Sequence, residues 1–251
     1  MATLSTAMVG PMDGLGLLNA SRIMASCRAD GVVLKPDAPL TTVDWCWRQR
    51  DPSCLVYSTH SDVAGYGRAH YLFANELMPF NASLLPAGFP ARSAVWHDWY
   101  GGGLGAFGDL SDAHQPGVGY EGHMYAVASP MVKGWALLGE TTKYVPLSTK
   151  RFVGVSFGDD DDDDVDNDEA WDTVAAAAAA AAAGAAAGDF ATTMRVTVDG
   201  VAGETIEVCA AYCAKNCAAS RAVSLAKTCL DASFDAAHTT QTLAFKRPSA
   251  A

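Results

Sequence analysis

The chain has 251 residues, half of them apolar, and carries six Trp, eight Tyr and nine Phe, which is material for a packed core and unlike the composition of a wholly disordered chain. The formal net charge is −11, yet Asp159 to Asp164 with Asp166, Asp168 and Glu169 supply nine of the 28 acidic residues, leaving the remainder nearly balanced. That balance excludes a basic nucleic-acid face, and no apolar run reaches the roughly 18 to 20 residues that span a bilayer, so neither nucleic acid nor membrane is expected as a partner.

The opening residues, MATLSTAMVGPMDG, have neither a basic stretch nor a continuous apolar one, and are not expected to form a signal peptide. Leu4 to Val9 predicts a short strand, Gly10-Pro11-Met12-Asp13-Gly14 a turn, and the spacing of Leu17, Leu18, Ile23 and Met24 a helix. This βα unit closes at Asp30-Gly31, ahead of the apolar run Val32-Val33-Leu34 and a proline-containing stretch. From Leu55 the pattern turns to β. Leu55–His60, Ala69–Ala74, Ala94–Trp99, Met124–Ser129, Trp135–Gly139 and Phe152–Phe157 are rich in aromatic and β-branched residues and bounded by Gly, Pro, Asp or Ser. Tyr125–Ser129 and Trp135–Gly139, separated by five residues ending in Gly134, read as a hairpin.

Residues 158–190 combine like charge with an alanine tract and read as a low-complexity insertion. After it, Met194–Val198 and Thr205–Cys209 flank a turn, and Ala222–Leu230 and Thr240–Phe245 extend the β region. The expected fold class is mainly β: an antiparallel β-sandwich preceded by a βα unit. Its parts are 1–44 as the βα unit, 45–157 as the first part of the sandwich, 158–190 as the insertion and 191–251 as the final strands.

Leu4 to Asp44, LSTAMVGPMDGLGLLNASRIMASCRADGVVLKPDAPLTTVD, resembles the last barrel strand and helix of the raffinose synthase and alkaline α-galactosidase family. The likeness lies in a small-residue strand ending in Gly-Pro, an Asp two residues on, a helix, Asp-Gly, an apolar run and a proline-containing exit. GWALLGETTKYVPLSTKRF, Gly134 to Phe152, is similar to the C-terminal β-domain of the same group. Together they imply that 1–44 is the terminal, remnant βα unit of a (β/α)8 barrel followed by a β-sandwich, acting on carbohydrate by hydrolysis or transfer of α-galactosyl groups. A retaining mechanism needs two carboxylates about 5 to 5.5 Å apart. In the family both come from earlier barrel strands, so no position here matches a catalytic residue. The implied partner is an N-terminal barrel, and the chain itself is expected to be inactive. The alternative is a non-catalytic β-sandwich carbohydrate-binding or structural module.

Two residues are candidates for contact with sugar. Asp13 would sit at the C-terminal edge of the barrel strand, where sugar-binding residues gather, although a turn or helix cap accounts for it equally simply. Trp99, with Trp96, Tyr100 and Gly101 to Gly103, would offer flat rings beside a loop, as a sugar-stacking platform or as ordinary core. No metal or cofactor site is expected: the six histidines form no H-E-x-x-H, the acidic run lacks calcium-loop spacing, and Gly10, Gly14 and Gly16 match no phosphate-binding order. Seven cysteines fit no closed zinc pattern and, beside alanines, read as small packers. The sequons Asn19-Ala20-Ser21 and Asn81-Ala82-Ser83 are compatible with secretion.

Overall fold

The computed structural model describes residues 3–7, 16–49, 55–74, 82–87, 89–90, 94–106, 123–158, 190–215 and 224–248. It is mainly β, with antiparallel pairing throughout. The elements are α1 (Ala20–Met24), β1 (Thr41–Thr42), α2 (Asp44–Gln49), β2 (Val56–Val63), β3 (Gly67–Ala74), a 3-10 turn (Ala82–Leu84), β4 (Ala94–Asp98), β5 (Leu104–Ala106), β6 (Met124–Pro130), β7 (Trp135–Gly139), β8 (Phe152–Gly158), β9 (Thr193–Asp199), β10 (Thr205–Lys215), β11 (Ser224–Ser233) and β12 (Thr240–Lys246). No described helix is long and apolar enough to cross a membrane.

The largest sheet has the order β1-β2-β3-β6-β4-β5, so β6 inserts between β3 and β4. Alternation along its strands separates two faces. Tyr71, Phe73, Tyr125 and Val127 join the main core with Trp135, Leu137, Phe152, Val196, Val208 and Phe245. Leu72, Ala74, Met124, Ala126 and Ala128 point the other way, against Val43 and Cys46 at α2 and Leu84 and Leu85 at the 3-10 turn. β2 and β3 form a hairpin whose tip holds Gly65 at φ +71; a Cβ there would come 2.0 Å from the Val155 carbonyl oxygen, so only glycine lets the tip approach β8.

The other two sheets are β11-β10-β7 and β12-β9-β8. β7 is buried along its whole length: Trp135 and Leu137 enter the main core, while Ala136 and Leu138 pack with Val95, Cys209 and Ala211. Burial on both faces explains why WALLG is uniformly apolar rather than alternating.

The anticipated hairpin between 125–129 and 135–139 is corrected here. β6 and β7 lie in different sheets, and the chain reverses inside Val132–Trp135, where Lys133 and Gly134 take φ of +47 and +77. Positive φ at both central residues makes a tight turn of its own, closed by reciprocal Val132 and Trp135 backbone hydrogen bonds. Pro130, paired with Ala94, ends β6 just before it. β9 and β10 likewise belong to different sheets. β8 and β9, by contrast, pair with Gly158 opposite Thr193, so the low-complexity stretch connects two neighbouring strands and itself lies outside the described residues.

Near the start, Thr3 to Thr6 are in turns rather than in the anticipated strand, whose last residues lie outside the described ones. The helix is shorter than its apolar spacing suggests. It begins at the Asn19 cap and ends where Ser26 Oγ and Cys27 Sγ both donate to the Ile23 carbonyl, competing with helix continuation. Leu17, Leu18 and Met24 remain exposed, at 74, 54 and 42 %.

Candidate functional site

Two segments more than 100 residues apart build one polar seam. The loop after β7 is folded back by Gly139, at φ +76, where a Cβ would meet the Pro146 carbonyl oxygen at 2.2 Å. Glu140 N–H then donates to Pro146 O, and Lys143 N–H to Glu140 O. This geometry aims the loop at the residues that follow α1. Tyr144 N–H donates to Ala25 O at 2.8 Å, and Lys143 Nζ reaches Met24 O and Cys27 O, both at 2.8 Å, placing a cation on carbonyls at and just beyond a helix end. Ser148 Oγ donates to Lys35 O, Thr149 Oγ1 to Asp37 Oδ1, and Arg28 Nη1 to Lys150 O.

Under the seam lies a charged cluster. Arg151, 1 % exposed, donates through Nε to Glu140 Oε2 at 3.1 Å and through its two terminal nitrogens to both Glu204 oxygens at 2.7 Å. Burial pushes the Glu140 carboxyl above its usual range, against the pull of Arg151 and Lys143. Burial acts the same way on Glu204, but the Arg151 hydrogen bonds outweigh it, helped by the N–H groups of Ala29 and Val201, and its carboxyl is held low. A retaining pair of carboxylates must face an open cleft. The side chains of these two are 5 and 8 % exposed and share one guanidinium, so their chemistry is to fasten the N-terminal segment to the sandwich.

Trp99 abuts this seam. Its N–H donates to the Lys143 carbonyl at 2.8 Å, and its ring lies 5.0 Å from Tyr100 and Tyr144 and 6.1 Å from Tyr125. Tyr125 in turn hydrogen-bonds the Tyr144 carbonyl. The sequence cluster is divided by strand alternation: Trp96 packs with the core on the α2 side of the sheet, against Gly103 and Gly105, while Trp99 and Tyr100 sit on the seam side. Trp99 is half-buried and Tyr100 is the exposed ring. Asp13 lies outside the described residues.

Two histidines are buried without hydrogen-bond partners at Nδ1, His70 and His97. Burial, with the charges of His60 and Arg68, lowers His70 to about 4; burial and Lys227 lower His97 to about 4. Both are therefore neutral imidazoles at neutral pH.

The cysteines are not simply packers. Cys209 and Cys229, directly opposite on β10 and β11, form a disulfide, and Cys46 and Cys213 are also disulfide-bonded. Local alanine-rich sequence conceals this, because cross-strand register decides it. Glu207, Cys209 and Cys229 cluster within 4.8 Å, but the two sulfurs are bonded to each other and offer no thiolate to a metal. Lys143, Tyr144, Arg151 and Glu204 carry the seam yet were not among the candidates from sequence. Lys143 and Tyr144 fall in the polar run GETTKY between two apolar stretches, and Arg151 and Glu204 lie outside it. No family model, curated protein or solved structure matches this chain.

Proposed function

We propose that this chain is the closing part of a carbohydrate-active enzyme of the raffinose synthase and α-galactosidase kind, with the sandwich bracing the end of a catalytic barrel. The observation that supports it most is the seam. The two stretches that carry the resemblance, Leu4–Asp44 and Gly134–Phe152, meet through Lys143, Tyr144, Ser148, Thr149 and Lys150 although they are distant in sequence. A further support is that Leu17, Leu18 and Met24 stay exposed on the N-terminal segment, the side on which preceding barrel elements would pack. In this reading the chain contributes bracing and a pocket rim, from Asp13 and the Trp99 and Tyr100 rings, while both catalytic carboxylates come from elsewhere in the polypeptide.

The test is the mass and activity of the natural protein from cells that make it. A polypeptide well above 26.2 kDa that contains this sequence and cleaves or transfers α-galactosyl groups supports the reading. A natural polypeptide of about 26.2 kDa without such activity overturns it, and retention on immobilised galactosides would then identify a binding module.

A further inference from the structure

The sequon Asn19-Ala20-Ser21 precedes and opens α1, and all three residues are exposed. Asn19 Oδ1 accepts from the Ser21 hydroxyl at 2.6 Å and from Arg22 N–H at 3.2 Å. The oxygen is thus occupied by the local turn, while Nδ2, the atom a glycan would join, has no partner among the described residues. A substituent on Nδ2 leaves Oδ1 an acceptor, so modification and capping are compatible. Neither Ala20 nor Arg22 is proline, which would block the acceptor pattern.

The compartment is indicated independently by the cysteines. Of the five described, Cys46, Cys209, Cys213 and Cys229 are disulfide-bonded, and only Cys27 is free, and it is buried. Disulfides at that density form and persist in oxidising compartments, where N-glycosylation also takes place.

We propose that Asn19 is an N-glycosylation site. The donor class is a lipid-linked oligosaccharide diphosphate. The amide nitrogen forms a bond to the anomeric carbon and gives up one proton; the bond from that carbon to the diphosphate oxygen breaks, and the lipid diphosphate leaves with the electron pair. No oxidation or reduction is involved. This site does not depend on the carbohydrate-active reading above, which concerns what the chain acts on.

The test is peptide mapping of the natural protein after N-glycosidase treatment in heavy-oxygen water. The expected result is aspartate carrying heavy oxygen at position 19 in the peptide ending at Arg22, with the glycan released from the native, undenatured protein. Unmodified Asn19 overturns the proposal. A second measurement is independent of secretion and folding: the full chain with Asn81→Gln, directed into microsomes by an added leader, shows one endoglycosidase-sensitive gel shift. Ser21→Ala abolishes it and Ser21→Thr retains it. A shift that persists in Ser21→Ala, or none in the parent, also overturns the assignment.

Discussion

Replacing Arg151 by Met removes, among the described residues, the one side-chain cation shared by Glu140 and Glu204, and keeps most of the buried volume. Both carboxylates then lie in a site where Arg151 itself is 1 % exposed. Breaking a buried pair by deleting one partner costs about 3–5 kcal/mol, because a buried charge is left uncompensated. At roughly 2–4 °C per kcal/mol for a chain of this size, Tm falls by roughly 6–20 °C at pH 7. The pH dependence carries the sharper signature. In the parent, the low Glu204 carboxyl contributes stability above the unfolded carboxylate pKa and loses it as pH falls through the folded value, whereas the raised Glu140 carboxyl acts in the opposite sense. In the variant Glu204 loses the Arg151 hydrogen bonds that hold it low while burial still raises Glu140, so the stability that Glu204 adds as pH rises through the carboxylate range is reduced. Thermal melts between pH 4 and 8 read both effects. The triple change Arg151→Met, Glu140→Gln, Glu204→Gln removes the guanidinium and both carboxylates, leaves the Lys143 ammonium on the Met24 and Cys27 carbonyls, and recovers more than half of the loss. A variant within about 1 kcal/mol of the parent, with an unaltered pH slope, refutes the argument that the cluster is a buried, coupled fastening.

His70 and His97, both lowered to about 4 from 6.5, take up protons more readily in the unfolded chain, so stability falls as pH drops from 6.5 towards 4, by roughly 3 kcal/mol for each, and His70→Asn flattens its share in urea titrations. Gly65→Ala puts a Cβ into the Val155 carbonyl at positive φ and costs roughly 2–4 kcal/mol by chemical denaturation, with protection of the Val155 amide lost first in hydrogen exchange. Reducing Cys209–Cys229, which closes a separation of 20 residues, removes about 3 kcal/mol of chain-entropy stabilisation, seen as a Tm shift in Cys209→Ala/Cys229→Ala.

Strand positions were legible because residues that fill a pleated, half-buried surface are β-branched or aromatic and stop at Gly, Pro or Asp. Trp135–Gly139 matches β7 residue for residue, and Met124–Ser129 stops one short of β6. β10 runs on to Lys215, past the Cys209 where its alternation fades, because β11 pairs with it along that length. Alanine carries little periodic signal, so only pairing reveals the extension. β1 and β5, with two and three residues, are too short to show a period at all. Which strands pair was much less legible. Tyr125–Ser129 and Trp135–Gly139 are near neighbours in sequence, but the turn at Lys133-Gly134 sends β7 into another sheet, and nothing in the two strands themselves distinguishes that arch from a hairpin.

The seam was hidden for a related reason. Lys143, Ser148, Thr149 and Lys150 have the composition of an ordinary exposed loop. What buries Lys143 and Ser148 is the chain of Met24 to Asp37, whose Met24, Cys27 and Lys35 carbonyls accept from these two side chains. Hydrogen-bond supply on one segment meets demand on the other, and neither is visible alone. The same logic explains why a helix of only five residues persists. It is too short to be stable in water by propensity, so its C-terminal carbonyls are held by Lys143 and the following backbone by Tyr144. Arg151 and Glu204 then fix the loop and the β9–β10 connection beneath it, through Asp199 O and the Ala29 amide. Position at the N-terminal segment is therefore set from the sandwich, through one buried charge cluster, rather than by the segment's own sequence.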